Sequence, residues 1–184
     1  NLSSTGVTGL FAAGTGPTIN GTDYKTFMLY NSKLTIDQNV NLDNPLDAYN
    51  MLELASSSVT NNSIITGTLN NQTAIAQEQG VASHQVNVIN NGTINLSGNG
   101  STGIYTKGSS AGTTHIENAA TGNINVTGNS TAIYGLGNTT ITNSGNITMK
   151  TNSTGIYSSA KDPNTGVAVG MPSTIINAGN ITST

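Results

Sequence analysis

The sequence contains no cysteine, no tryptophan and no arginine, and only 7% of its 184 residues are charged. Each absence narrows what the chain can be. Without cysteine there is no disulfide framework, although a secreted repeat protein can be held by stacked ladders instead. Five lysines against eight acidic residues give a net charge of −3. No basic stripe exists to neutralise phosphates, which argues against nucleic acid as a partner. No apolar run approaches the roughly 18 residues of a membrane-spanning helix. Disorder usually needs high net charge and few β-branched residues, whereas Ile, Val and Thr are plentiful here, so the composition predicts order. Asn, Thr, Ser and Gly fill most of the remainder, as expected where every corner needs a left-handed or side-chain-capped turn. The chain does not begin with Met, carries no signal peptide, and its repeats run open at the C-terminus. A piece of a longer parent is expected.

The dominant feature is a repeat. Ile89–Tyr105 returns at Ile116–Tyr134 and at Ile141–Tyr157, with a further start at Ile176–Ile181. The second Ile of each unit lies 10 residues before the Ile of an Ile-Tyr pair in the first copy, Ile94 to Ile104, and 9 in the next two. The anchors Ile94, Ile124, Ile147 and Ile181 are 30, 23 and 34 apart. A fixed short unit inside a drifting period of 20–35 residues is the mark of a solenoid. Within each unit the alternation has a strand's period of two: Ile94 with Leu96, Ile124 with Val126, and Ile147 with Met149 face one way. The predicted fold is all-β, a right-handed parallel β-helix of roughly six to seven coils with loop insertions. It forms one continuous domain, with divergent coils over 1–85 and regular coils over 86–184.

In the divergent part, residues 1–33 are expected to form a worn coil in which Thr8-Gly9-Leu10-Phe11 matches Thr102-Gly103-Ile104-Tyr105. Tyr24–Tyr30 is a short apolar strand candidate. Leu34, Ile36, Val40 and Leu42 are predicted to point inward. Pro45–Ala55, with Asp43 and Asp47 near its start, is either a short helix or a distorted strand. Val59–Ala76 is another coil, and a polar connector runs over Gln77–Gln85. Insertions are predicted at Lys107–Thr114, Gly135–Thr139 and Lys161–Pro172. At the corners, Asn91, Asn118, Asn143 and Asn177 are placed to hydrogen-bond along the stack as an Asn ladder.

Two stretches imitate enzyme motifs. Gly98–Gly103 matches GxGxxG, but a dinucleotide site needs a helix N-terminus directly after it, and the next element here is another strand. Gly108–Gly112 matches GxSxG, but His115, the last histidine, sits too near in sequence to reach over Ser110. Some parallel β-helices degrade polysaccharides, which requires gathered carboxylates. The five Asp and three Glu here do not recur at matching coil positions, Asp43 and Asp47 being the nearest pair. His84 and His115 lack spaced metal-ligand partners. No catalytic residue, metal site or cofactor is predicted.

Two repeated arrays remain. Phe11, Tyr105, Tyr134 and Tyr157 form an aromatic column that faces solvent if Ile104, Ile133 and Ile156 point inward; such a strip suits a sugar ring or a protein partner. The alternatives are a ladder that only supports itself, or one turned inward. The second array pairs Asn95/Ser97, Asn125/Thr127, Thr148/Lys150 and Thr182/Thr184 on outward faces. Regular Thr pairs would suit an ice surface, but Lys150 and the Asn residues spoil the lattice.

The sequences GlyThrIleAsnLeuSer, SerThrGlyIleTyr, AsnSerGlyAsnIleThr and ThrGlyIleTyrSer resemble the passenger repeats of large fusobacterial autotransporter adhesins, the RadD-like type V secreted proteins. The resemblance covers Val86–Thr184 well and the first 85 residues only through worn copies. It implies an extracellular passenger at the bacterial surface, an outer-membrane β-barrel elsewhere in the parent, and attachment to a host-cell protein or glycan or to partner bacteria. The fragment itself is expected to be monomeric. Candidate contact residues are Lys107 and the insertion residues Lys161, Asp162 and Asn164, beside Tyr105, Tyr134 and Tyr157. A purely structural stalk is the alternative, and a β-helix polysaccharide-degrading enzyme a more remote one.

Overall fold

The computed structural model describes residues 2–5, 27–30, 33–43, 52–55, 58–78, 86–108, 113–162 and 165–184. These hold nineteen strands and no helix. The strands form three sheets running along one parallel β-helix. Each coil contributes one strand to each sheet. The third coil is Val86–Asn90, Thr93–Leu96 and Thr102–Lys107; the fourth is Thr114–Asn118, Asn123–Val126 and Thr131–Leu136; the fifth is Thr139–Asn143, Asn146–Met149 and Thr154–Ser159. The first two coils, from Lys33 and from Ser58, repeat the pattern with shorter strands. Partial coils lie at either end, at Phe27–Tyr30 and at Thr174–Ser183.

The predicted inward residues of the regular coils are inward. Ile65, Ile94, Ile124 and Ile147 stack in register in the second sheet, and Ile75, Ile104 and Ile133 in the third. Leu34, Val59, Val88, Ile116 and Ile141 do so in the first. All are buried in one cluster. Each contributes roughly 2 kcal/mol by leaving water, and β-branched chains fit the pleated surface well. Leu34, Ile36, Val40 and Leu42 are buried as expected.

The first corner differs from the sequence expectation by one residue. The ladder runs Asn61–Asn90–Asn118–Asn143–Asn177, buried up to Asn143 and exposed at Asn177. Each Nδ2 donates to the Oδ1 of the next coil, at 2.8, 2.8, 2.8 and 2.7 Å. Asn91 is outside it and donates to Asn62 Oδ1 near the surface. The cause is strand parity. Val88, not Ile89, faces the core opposite Ile116, and Ile89 pairs with Glu117 on the outer face. Ile175, not Ile176, likewise continues the column.

The second corner repeats a backbone shape. Asn71, Asn129 and Asn152 adopt positive φ of 60°, 56° and 56°, and Gly100 takes the same place in the third coil at 68°. Asn and Gly tolerate this left-handed conformation best. Gly98 in the same corner passes so near the Leu69 carbonyl that a Cβ would collide with it. Thr102–Lys107 then continues as a strand, so the GxGxxG match is a repeat corner.

Several other expectations change. Leu2–Thr5 runs antiparallel to Lys33–Ile36 and so closes one edge of the first sheet instead of starting a coil. Thr8–Phe11 lies outside the described residues, as do His84, Asp47 and Ser109–Gly112. Of Pro45–Ala55, the described part Leu52–Ala55 is a strand. Gln77 is not connector but strand, fully buried, and accepts a hydrogen bond from Thr114 Oγ1 at 3.3 Å. The Gly135–Thr139 insertion shrinks to a two-residue corner, Gly137–Asn138, because both flanks are strand. Asp43 accepts from Thr68 N and Oγ1 at 2.6 and 2.7 Å, and from Gln72 at 3.2 Å, tying one coil to the next.

Burial raises the Asp43 pKa, but the hydrogen bonds from Thr68 and Gln72 outweigh it and hold the carboxyl below its ordinary 3.8. Its stabilisation is therefore complete above that value and fades as pH falls through the lower folded value. Asp43→Asn should be less stable than wild type at neutral pH, with the gap closing in acid, as thermal unfolding would record. For the buried ladder, Asn118→Ala takes the donor from Asn143 Oδ1 and leaves Asn90 Nδ2 only its bonds to Gly92 O and Asn123 O at 3.2 and 3.4 Å, and it should destabilise by roughly 1–3 kcal/mol in a urea titration. Asn91→Ala should stay within about 0.5 kcal/mol in the same urea titration.

Candidate functional site

Tyr105, Tyr134 and Tyr157 stand in direct register on the outer face of the third sheet. The preceding isoleucines turn inward, which aims the rings outward. Ring centroids are 5.3 Å apart for Tyr105–Tyr134 and 4.9 Å for Tyr134–Tyr157, with interplanar angles of 76° and 83°. This is the edge-to-face packing that aromatic quadrupoles favour. Each ring thus shields its neighbour. Tyr105 and Tyr134 are half-buried, whereas Tyr157 is 41% exposed. Below Tyr105 the column continues with Ala76, so the ladder begins at Tyr105 and Phe11 lies outside the described residues.

The longest insertion is a hairpin. Lys161 bridges Ala168 in antiparallel fashion, Asp162 N–H donates to Val167 O at 2.9 Å, and Gly166 N–H closes the turn on Asp162 O at 2.8 Å. The Ser159 hydroxyl steadies its base, donating to Lys161 O and accepting from Lys161 N–H. The far strand packs over the tight Gly137–Asn138 corner. Val169 O lies where a Cβ on Gly137 would have to sit, and the Ser173 hydroxyl donates to Gly137 O at 3.0 Å. The two-residue corner of one coil thereby makes room for the insertion of the next. Val167 and Met171 are 62% and 65% exposed.

Of the candidate residues, the three tyrosines come together. Burial, then the neighbouring Tyr157, then Asp162 raise the Tyr134 pKa above its ordinary 10.0. Lys161 is exposed on the hairpin. Lys107 ends the strand that carries Tyr105 and lies two coils away from the hairpin, about 10 Å along the stack. Asn164 lies outside the described residues. Sequence patterning marked Lys161–Pro172 as an insertion but did not single out Val167 and Met171 within it. Among the described residues no three His, Cys, Asp or Glu gather where they could hold a metal ion.

The comparisons supply no kinship. No protein family, no curated protein and no solved structure matches this chain.

The tyrosine ladder has a titration signature. Tyr134 should ionise above pH 10.0, and Asp162→Asn should bring its absorbance transition down. Because the folded value is raised, stability from this group is present below about pH 10 and is lost as pH climbs through the folded value.

Proposed function

We propose that this chain is a segment of a bacterial cell-surface adhesin, attaching to a host-cell protein or glycan or to partner bacteria. The observation that carries the proposal is the in-register tyrosine ladder with a docked hairpin beside it. Tyrosines offer large contact area with little conformational entropy to lose, and interface cores are enriched in them. The hairpin adds an exposed cation at Lys161 and apolar side chains at Val167 and Met171. Loops and outer faces on a rigid scaffold are where recognition commonly sits. The repeat resemblance adds the extracellular setting and a β-barrel anchor elsewhere in the parent. The proposal assigns no catalysis and no cofactor to the chain.

The stalk alternative has its own support. Tyr105 and Tyr134 bury part of their rings on each other, so the ladder stabilises the stack even without a ligand. Cell binding separates the two. Labelled protein should bind to host epithelial cells or to partner bacteria, and Tyr157→Ala with the 162–167 turn replaced by Gly-Ser should weaken it about tenfold or more. Absence of binding by protein shown to be folded by circular dichroism, or binding untouched by both changes, would favour the stalk.

A further inference from the structure

On the outer face of the second sheet lies a trough of about 370 Å³, away from the tyrosine ladder. Four coils line it. One wall is the column Thr66, Asn95, Asn125 and Thr148; the other is Thr68, Ser97, Thr127 and Lys150. These include the outward pairs that the sequence suggests for an ice surface. In the structure they border a concavity, which a planar ice face would not fill.

The polar groups of this trough differ from the other Asn and Ser columns of the molecule. Elsewhere such columns satisfy themselves. The buried Asn ladder is closed, Asn123, Asn146 and Asn180 bond one another at 3.1 and 3.0 Å, and Ser101, Ser130 and Ser153 each accept a backbone N–H from the coil before. In the trough Thr66 and Thr68 donate to Val40 O and Asp43 Oδ2 of the coil before, at 3.5 and 2.7 Å, and Asn125 Nδ2 donates to Asn95 Oδ1 at 2.7 Å. The hydroxyls of Ser97, Thr127 and Thr148, and the Lys150 ammonium, have no partner among the described residues.

We propose that this trough binds a linear acidic saccharide, with a sugar carboxylate on Lys150. Three observations choose that occupant. The backbone groups of the four strands are spent on parallel neighbours within the sheet, so a peptide cannot add here as a strand, which needs an open edge. The unbonded hydroxyls of Ser97, Thr127 and Thr148 lie on three successive rungs, about 4.8 Å apart, and each can donate and accept, which suits the repeating hydroxyls of a sugar chain. Lys150 is the single ionisable side chain in the lining, so charge complementarity calls for one anionic group, at that end. This site is independent of the adhesin proposal, because it shares no residue with the ladder or the hairpin.

The test is calorimetric titration of the full chain with a hyaluronan tetrasaccharide and with its carboxyl-reduced, neutral counterpart. The acidic sugar should bind, and the neutral one should bind about tenfold more weakly. Lys150→Gln should weaken the acidic sugar about tenfold and leave the neutral one unchanged. Thr127→Val, which keeps the shape and removes a free hydroxyl, should weaken both about threefold or more. Tyr157→Ala should alter neither, which separates this site from the ladder. Lys150 is exposed and Thr127 half-buried on the outer face, so both variants should fold, as circular dichroism can check. No binding of the acidic sugar, binding indifferent to either trough variant, or binding lost with Tyr157→Ala would each overturn the proposal.

Discussion

Every residue on a coil of this molecule has to tolerate its counterpart on the next coil, about 4.8 Å away. That constraint selects the composition. Isoleucine stacks on isoleucine and fills the core. Asparagine stacks on asparagine because its carboxamide donates on one side and accepts on the other, so a column of Asn closes without remainder. Tyrosine stacks edge to face. Like charges directly opposite each other repel, and a solenoid of near-identical coils would repeat that repulsion at every rung. A charged fraction of 7% with no arginine is the composition such stacking allows. Three of the few charges each occupy a distinct place: Asp43 ties two coils together, Lys150 follows Thr68, Ser97 and Thr127 in one column, and Lys161 rides on the hairpin.

The corners divide the work unevenly. From the second coil onward the first corner is held by the Asn ladder and the second by a left-handed Asn or Gly, so both keep their shape there. The third carries the variation, from the two residues Gly137–Asn138 to the hairpin between Ser159 and Thr174. Its tight member and its long member are complementary, since the hairpin rests on the short corner beneath it. A glycine at 137 is needed there for both its φ of 67° and its missing Cβ. Variation at one corner leaves the three sheets in register, which is how a rigid stack can present an irregular surface.

The core was legible in the sequence because Ile94, Ile124 and Ile147 sit in strands whose alternation is unambiguous. The start of the unit was less so. Val86-Asn87-Val88-Ile89-Asn90-Asn91 offers two parities, and only the buried carboxamide bonds decide that Val88 and Asn90 face inward. The outward column Tyr105–Tyr134–Tyr157 could be read from the isoleucines before it. The seating of the insertion on Gly137 could not, since it depends on the two-residue corner one coil below. The trough was also hidden. Alternation shows which side chains face out, but curvature of the sheet face, and which hydroxyls remain unbonded, appear only when the coils are stacked.

The central physical claim is that the coils are locked together by the interior carboxamide ladder, and hydrogen exchange tests it most directly. In nuclear magnetic resonance of the folded chain, the side-chain Nδ2 protons of Asn90, Asn118 and Asn143 should be dispersed and exchange far more slowly than those of surface asparagines such as Asn129. The same slow exchange at Asn91 and fast exchange at Asn90 would restore the other parity. Fast exchange at all three ladder positions would contradict the stacked core itself.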